Sequence, residues 1–123
     1  MKNRELGAVY FILILFSMFG NFKFLFGQQD NSQLQDVLAD NAFLVDVRTP
    51  SEFASGSVKG AVNIPLDKIS EQLPKFKNKK HIVVFCRSGN RSSQAKSILE
   101  KNGFENVVNG GTWQNVQSVI SDK

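Results

Sequence analysis

Short runs of consecutive apolar residues alternate along this chain with stretches in which apolar positions recur every three or four residues. Leu34, Val37 and Leu38 recur at helical spacing behind Asn31 and Ser32. Either of those two residues suits an N-cap, so a first helix is expected to end near Asp40-Asn41. Phe43-Leu44-Val45-Asp46-Val47 is a continuous apolar run with a carboxylate near its end, the pattern of a buried strand. Thr49, Pro50 and Ser51 then suit the start of a short helix over Glu52 to Ala54, which Gly56 stops. Ala61-Val62-Asn63-Ile64 predicts a second strand closed by Pro65. Leu66 to Leu73 predicts a short helix halted before Pro74. Ile82 to Phe85 is the most β-rich run and predicts a third strand. Arg91 to Lys101 follows as a helix with Ala95, Ile98 and Leu99 on one face, ended by Asn102-Gly103. Asn106-Val107-Val108 predicts a fourth strand, and Gly110-Gly111 a tight turn. Thr112 caps a last helix with Trp113, Val116, Val119 and Ile120 on one side.

Short apolar strands separated by helices predict an α/β fold: a small parallel sheet of four to five strands covered on both faces. Ligands of such sheets sit beyond the carboxyl ends of the strands. Cys86, the segment Asp46 to Arg48 and the pair Gly110-Gly111 all fall at strand ends, so three separated stretches are expected to meet on one edge.

The N-terminus departs from this pattern. Lys2 and Arg4 precede a charge-free run from Leu6 to Gly20, the layout of a targeting segment. A spanning helix needs roughly 20 apolar residues, and Asn21 and Lys23 interrupt the run before that length is reached. Residues 1–27 are therefore expected to be a signal peptide that is removed, with cleavage after Gly27. The alternative is an uncleaved membrane anchor, with residues 6–26 as the tether. Residues 28–123 form the one domain that a chain of 123 residues suggests. The expected location is outside the cytosol, periplasmic or secreted.

Composition changes the picture little. Hydrophobic residues at 41% and charged residues at 21% fit a globular domain. Lys2, Arg4 and Lys23, set against Glu5, carry half of the formal net charge of +4. Lys75, Lys77, Lys79 and Lys80 cluster just before the third strand. With no interleaved aromatic stripe they read as a solvated loop, not a nucleic-acid surface. His81 lies at the far end of that strand from Cys86 and reads as structural. No metal constellation and no dinucleotide fingerprint appears, so no cofactor is expected.

Cys86 is the only cysteine in the chain. It opens the loop Cys86-Arg87-Ser88-Gly89-Asn90-Arg91, followed by Ser92, where a strand gives way to a helix. Main-chain N–H groups converge at such a junction and the helix dipole adds positive potential. A thiol there ionises more readily than a free one. Arg87 and Arg91 add fixed charge, and Gly89 permits a backbone conformation that other residues resist. The loop can thus cradle an anion or a persulfide without a general base.

The chain resembles the rhodanese-like single-domain sulfurtransferases, and the resemblance covers Leu34 to Val119. Leu44-Val45-Asp46-Val47-Arg48 with Pro50, Glu52 and Phe53 resembles the family's first signature. Gly56 and Gly60 to Pro65 resemble its continuation, and Cys86 to Ser92 its catalytic loop. Gly110-Gly111 with Trp113 resembles its last signature. The resemblance implies that Cys86 is the nucleophile. It takes the outer sulfur of thiosulfate or a similar small anionic donor as a persulfide and passes it to cyanide or a thiol. Arg87, Ser88, Gly89, Asn90, Arg91, Ser92 and Arg48 are then expected to bind substrate. Asp46 supports them, with Asp46 and Arg48 alternatively a charged pair that ties a strand end to the loop. Trp113 is either a pocket wall or a core anchor. Ser57 stands where the family commonly has histidine, with an effect expected on packing. The family's short first strand is barely visible in Gln28 to Asn31. The protein is expected to be a monomer.

Three other readings compete. Cysteine phosphatases and arsenate reductases also close a cysteine loop with arginine, but on the pattern C-x5-R. Here four residues separate Cys86 from Arg91, a tighter ring that suits sulfur better than phosphate. A sulfur carrier or interaction module is a second alternative, and a buried packing cysteine a third.

Overall fold

A computed structural model describes residues 30–121. The targeting segment expected over residues 1–27 lies outside them. Among the described residues no helix is long and apolar enough to cross a membrane. The elements follow in the order α1 (Ser32–Ala39), β1 (Phe43–Asp46), α2 (Pro50–Ala54), β2 (Val62–Asn63), two 3-10 turns (Leu66–Glu71 and Leu73–Phe76), β3 (Ile82–Cys86), α3 (Asn90–Lys101), β4 (Val107–Thr112) and α4 (Trp113–Ser121). The four strands form one parallel sheet in the order β2-β1-β3-β4. Asp30 and Asn31 are not in a strand, and the rest of the expected fifth strand, Gln28 and Gln29, falls outside the described residues.

The pleat sorts the core into two layers, because alternate residues of a strand face opposite sides. Val45, Val47, Ile82, Val84, Cys86 and Val107 join one apolar cluster with Ala95 and Leu99 of α3 and with Ile69 and Phe76 of the 3-10 turns. Val83, Phe85 and Val108 face the other way and join Leu34 and Val37 of α1 and Val116 and Val119 of α4. Trp113 packs against that second cluster, half-buried, which is the core-anchor role. Cys86 therefore lies on the α3 side by simple alternation along β3.

The strand order also locates the candidate site. From β1 the chain crosses to β2 on one side, and from β3 to β4 on the other. The carboxyl ends of β1 and β3 thus flank the point where the winding direction changes, which is where open parallel sheets form a crevice. Asp46 is in register with Phe85, one residue before Cys86.

Two elements differ from expectation. Leu66 to Leu73 is not one helix: a 3-10 turn ends at Glu71, the chain bends at Gln72, and a second 3-10 turn carries Pro74 in its first positions. A continuous α-helix through this segment would drive the Pro74 ring into the carbonyl of Ser70 and remove a hydrogen bond. The shorter turns avoid both. Gly110-Gly111 is not a turn either. Both residues lie inside β4, where Val84 pairs with Asn109 and Phe85 with Gly111, so Gly110 is an unpaired bulge. A Cβ on Gly110 would lie 2.6 Å from Val116 Cγ2 and 3.1 Å from Val83 Cγ1. The glycine lets α4 pack directly on the sheet.

At the opposite end of the sheet, His81 Nε2 lies 2.9 Å and Lys80 Nζ 2.7 Å from Asp40 Oδ2. Lys79 Nζ stands 4.5 Å from the centroid of the Phe43 ring. Lys80 and His81 thus join the end of α1 to the start of β3, the structural role expected of His81, while Lys79 packs on the first residue of β1.

The bulge yields the first prediction. Gly110→Ala should lower unfolding stability by about 1–3 kcal/mol through overpacking against two buried valines, read as a fall in urea midpoint. An unchanged midpoint would mean that Val116 moves aside freely.

Candidate active site

Every residue of β3 from Ile82 to Cys86 is buried. Beyond it the chain turns through Arg87 and Ser88 to Gly89, which caps α3 at φ 92°, a left-handed conformation open to glycine at little cost. That turn aims the Gly89 N–H at Cys86 Sγ, 3.0 Å away. Ser92, on the first turn of α3 and fully buried, brings its Oγ to 3.5 Å from Sγ. Cys86 itself has no exposed surface. Burial pushes its thiol pKa up, but the Ser92 hydroxyl and the N–H groups of Ser92, Ser88 and Gly89 together outweigh that penalty. The balance holds the thiol below its ordinary range.

Arg91 is clamped. Its Nη1 and Nη2 donate to Glu52 Oε1 and Oε2 at 2.6 and 3.0 Å, a two-point contact that ties the start of α3 to α2. Glu52 has a second task. Its carboxylate accepts from the Thr49 N–H at 3.2 Å, and its own N–H donates to Thr49 Oγ1 at 3.2 Å, closing a reciprocal cap on α2. Arg91 in the first place, with Thr49 adding to it against a burial cost, holds the Glu52 carboxyl down to about 2. The same contact raises Arg91 above the ordinary guanidinium range.

Arg48 and Asp46 form a second clamp one strand away. Asp46 is fully buried and Arg48 nearly so. Arg48 Nε donates to both Asp46 oxygens at 3.0 Å, and Nη2 to Oδ2 at 2.7 Å and to the Gly56 carbonyl at 2.6 Å. The guanidinium also stands 5.4 Å from the Trp113 ring centroid. Ser57 Oγ donates to Asp46 Oδ2 at 2.7 Å, so the serine in the usual histidine position completes this knot. Arg48 and Asp46 do form a charged pair, but the guanidinium is committed inward, to the end of β1, the Gly56 carbonyl after α2 and the Trp113 ring, and not to the Cys86 loop.

The structure thus brings Cys86, Gly89 and Ser92 together and sets Arg91 beside them in an ion pair. Arg87, Ser88 and Asn90 lie on the exposed outer side of the loop. An open groove of about 460 Å³, lined in part by Val47, Thr49, Leu66, Arg91 and Ile98, adjoins this loop without reaching the sulfur. Sequence reasoning missed two participants. Glu52 was legible as the fourth residue of a Thr49-x-x-Glu52 capping box, but its pairing with Arg91 spans 39 positions. Asn109 gave no signal beyond preceding a glycine pair, yet its Oδ1 lies 2.7 Å from Ser92 Oγ.

The fold and site define a class: small parallel α/β domains with a cysteine loop at the switch point of the sheet. Within that class, the family model for the rhodanese-like domain matches residues 30–114, and the chain belongs to this family. It is 37% identical over 82 residues to a sulfurtransferase of Allochromatium vinosum, covering 65% of this chain and 77% of that protein. It is 35% identical over 74 residues to the thiosulfate sulfurtransferase PspE of Escherichia coli, covering 58% of this chain and 71% of that one. Among solved structures, a rhodanese with anions from E. coli superposes with a TM-score of 0.56 at 34% identity, over 60% of this chain and 89% of that one.

Both clamps can be tested. Arg48→Met strands the buried Asp46 carboxylate and should cost about 3–5 kcal/mol of unfolding free energy at neutral pH, measured by denaturant titration. For Glu52, the folded pKa of about 2 lies below the ordinary 4.5. Its contribution is therefore complete above that ordinary value and fades as pH falls toward the lower one. The stability gap between wild type and Glu52→Gln should be constant at neutral pH and close across that acid window. A gap independent of pH would exclude the ion pair as its source.

Proposed function

We propose that this protein is a sulfurtransferase that moves a sulfane sulfur from thiosulfate, or a similarly small anionic donor, to cyanide or a thiol through a Cys86 persulfide. The observation that carries this reading is the Gly89 N–H at 3.0 Å from a buried sulfur whose surroundings favour the anion. In the first half-reaction the Cys86 thiolate attacks the outer sulfur of thiosulfate. The new S–S bond forms as the donor's S–S bond breaks, and sulfite leaves with the electron pair. In the second, cyanide or a thiolate attacks the outer persulfide sulfur, giving thiocyanate or a new persulfide and returning the Cys86 thiolate. No net oxidant or reductant is consumed. The loop N–H groups and the Ser92 hydroxyl stabilise the negative sulfur in both resting and loaded forms.

The burial of Cys86 limits the donor. Cys86 has no exposed surface and Arg87, Ser88 and Asn90 are the exposed residues of its loop, so a donor's first contacts are assigned to them. Commitment of Arg91 to Glu52 argues against a phosphatase, which needs its loop arginine for the phosphate oxygens. Arg91 acts instead by fixing the loop. The apolar segment after Lys2 and Arg4 supports export, periplasmic or secreted, with residues 28–123 as the working domain.

Intact mass before and after thiosulfate is the direct test. Wild type should gain the mass of one sulfur atom, and Cys86→Ser should gain nothing and lose all thiocyanate formation while unfolding normally. Retained activity in Cys86→Ser would overturn the assignment. The same spectrum of the exported protein gives its N-terminus. Loading without repeated transfer to cyanide or any small thiol would identify a sulfur carrier instead.

A further inference from the structure

Ser92 has one hydroxyl proton and three neighbours that can take it. Its Oγ lies 2.7 Å from Asn109 Oδ1, 3.0 Å from the Gly89 carbonyl and 3.5 Å from Cys86 Sγ. The orientation of the Asn109 amide is fixed, because Oδ1 also accepts the Gly111 N–H at 2.9 Å, and a main-chain donor demands an oxygen there. Asn109 Oδ1 and the Gly89 carbonyl can only accept. While Cys86 is a neutral thiol, the Ser92 proton goes to the nearer of them, and the thiol S–H donates to Ser92 Oγ. Once the sulfur is negative it has no proton to give, and the hydroxyl must turn to donate to it.

Both arrangements leave every buried group partnered. When the hydroxyl turns away, Asn109 Oδ1 keeps the Gly111 N–H, and the Gly89 carbonyl keeps the Ser93 N–H at 3.0 Å. Networks with two complete bonding patterns interconvert without leaving a buried donor or acceptor bare. The bulge at Gly110 matters here, since it lets Gly111 N–H and Asn109 Oδ1 meet two residues apart on the same strand.

We propose that Asn109 is a positioning residue for the sulfur: its Oδ1 holds the Ser92 hydroxyl proton while Cys86 is a thiol and yields it when the sulfur becomes an anion or a persulfide. Asn109 touches neither donor nor acceptor and acts through Ser92. The other charged groups around the sulfur are Arg91 paired with Glu52, Asp46 paired with Arg48, and the exposed Arg87. β4 brings no charge to this place, so replacing its asparagine with an uncharged residue leaves those fields intact.

The proposal rests on Cys86 as the sulfur-accepting thiolate, and a titration separates its failure from failure of that reading. Cys86 is the chain's only cysteine, so ultraviolet thiolate absorbance against pH, less the Cys86→Ser titration that carries the Tyr10 signal, reports it. Ser92→Ala should raise the midpoint by roughly one unit, the worth of one hydrogen bond to an anion. Asn109→Leu should lower it by up to about one unit, because the hydroxyl then has one competitor fewer. In the Ser92→Ala background, Asn109→Leu should have no further effect. An equal shift with and without Ser92, or an upward shift from Asn109→Leu, would overturn the proposal. Should Asn109→Leu fail to fold, the wild-type protein answers alone: the Asn109 side-chain amide resonance should titrate with Cys86 and fall silent in Ser92→Ala. Titration that persists in Ser92→Ala would overturn it equally. Absence of a sulfur adduct with these shifts intact would instead fail the sulfurtransferase reading.

Discussion

The contact between the Gly89 N–H and the Cys86 sulfur sets two opposing forces against each other in a space closed to water. Burial resists charge on sulfur, and main-chain and serine donors invite it. Because the donors are backbone groups, their strength depends on position alone, and the surrounding architecture serves to hold that position. The left-handed Gly89 makes the turn, the first turn of α3 delivers Ser92, and the Arg91–Glu52 contact fastens α3 to α2. Gly89 and Ser92 each bring a donor to the sulfur, and the Arg91–Glu52 contact fixes where those donors stand. Each limits how far those groups can drift.

The same economy governs the charges. Two arginines near the site are each matched to a carboxylate, one pair buried and one half-exposed. The pairs hold β1, the chain after α2 and the start of α3 at fixed spacing, so they act on the sulfur through geometry more than through field. Removing either arginine therefore disturbs the scaffold before it disturbs the chemistry.

What the sequence disclosed follows from the range of each interaction. Strands β1 and β3 were legible because runs such as Ile82 to Phe85 have no other use in a small domain. The Thr49–Pro50 start of α2 and the Thr112 cap of α4 were legible because caps act over three residues. The Cys86 loop was legible because glycine and arginine beside a lone thiol narrow the chemistry. The rest depended on distant partners. Glycines 110 and 111 suit a turn as well as a bulge, and side chains of Val83 and Val116 decide between them. Charge at Arg48 and Arg91 was visible, and so was the pairing of Arg48 with its near neighbour Asp46, but the commitments to Gly56 and Glu52 were not. Two 3-10 turns share their apolar spacing with one short helix, and only the backbone demand of Pro74 distinguishes them.

The bulged β4 strand also bears on how these molecules meet one another. Among the described residues it forms one border of the sheet, and β2, only two residues long, forms the other. A regular outer strand presents a row of free main-chain groups on which a neighbouring chain can add its own. Here one border is interrupted by an extra glycine and the other is too brief to template anything, with Pro65 close behind it. The irregularity that brings Asn109 to Ser92 thereby also makes this border a poor template for a further strand.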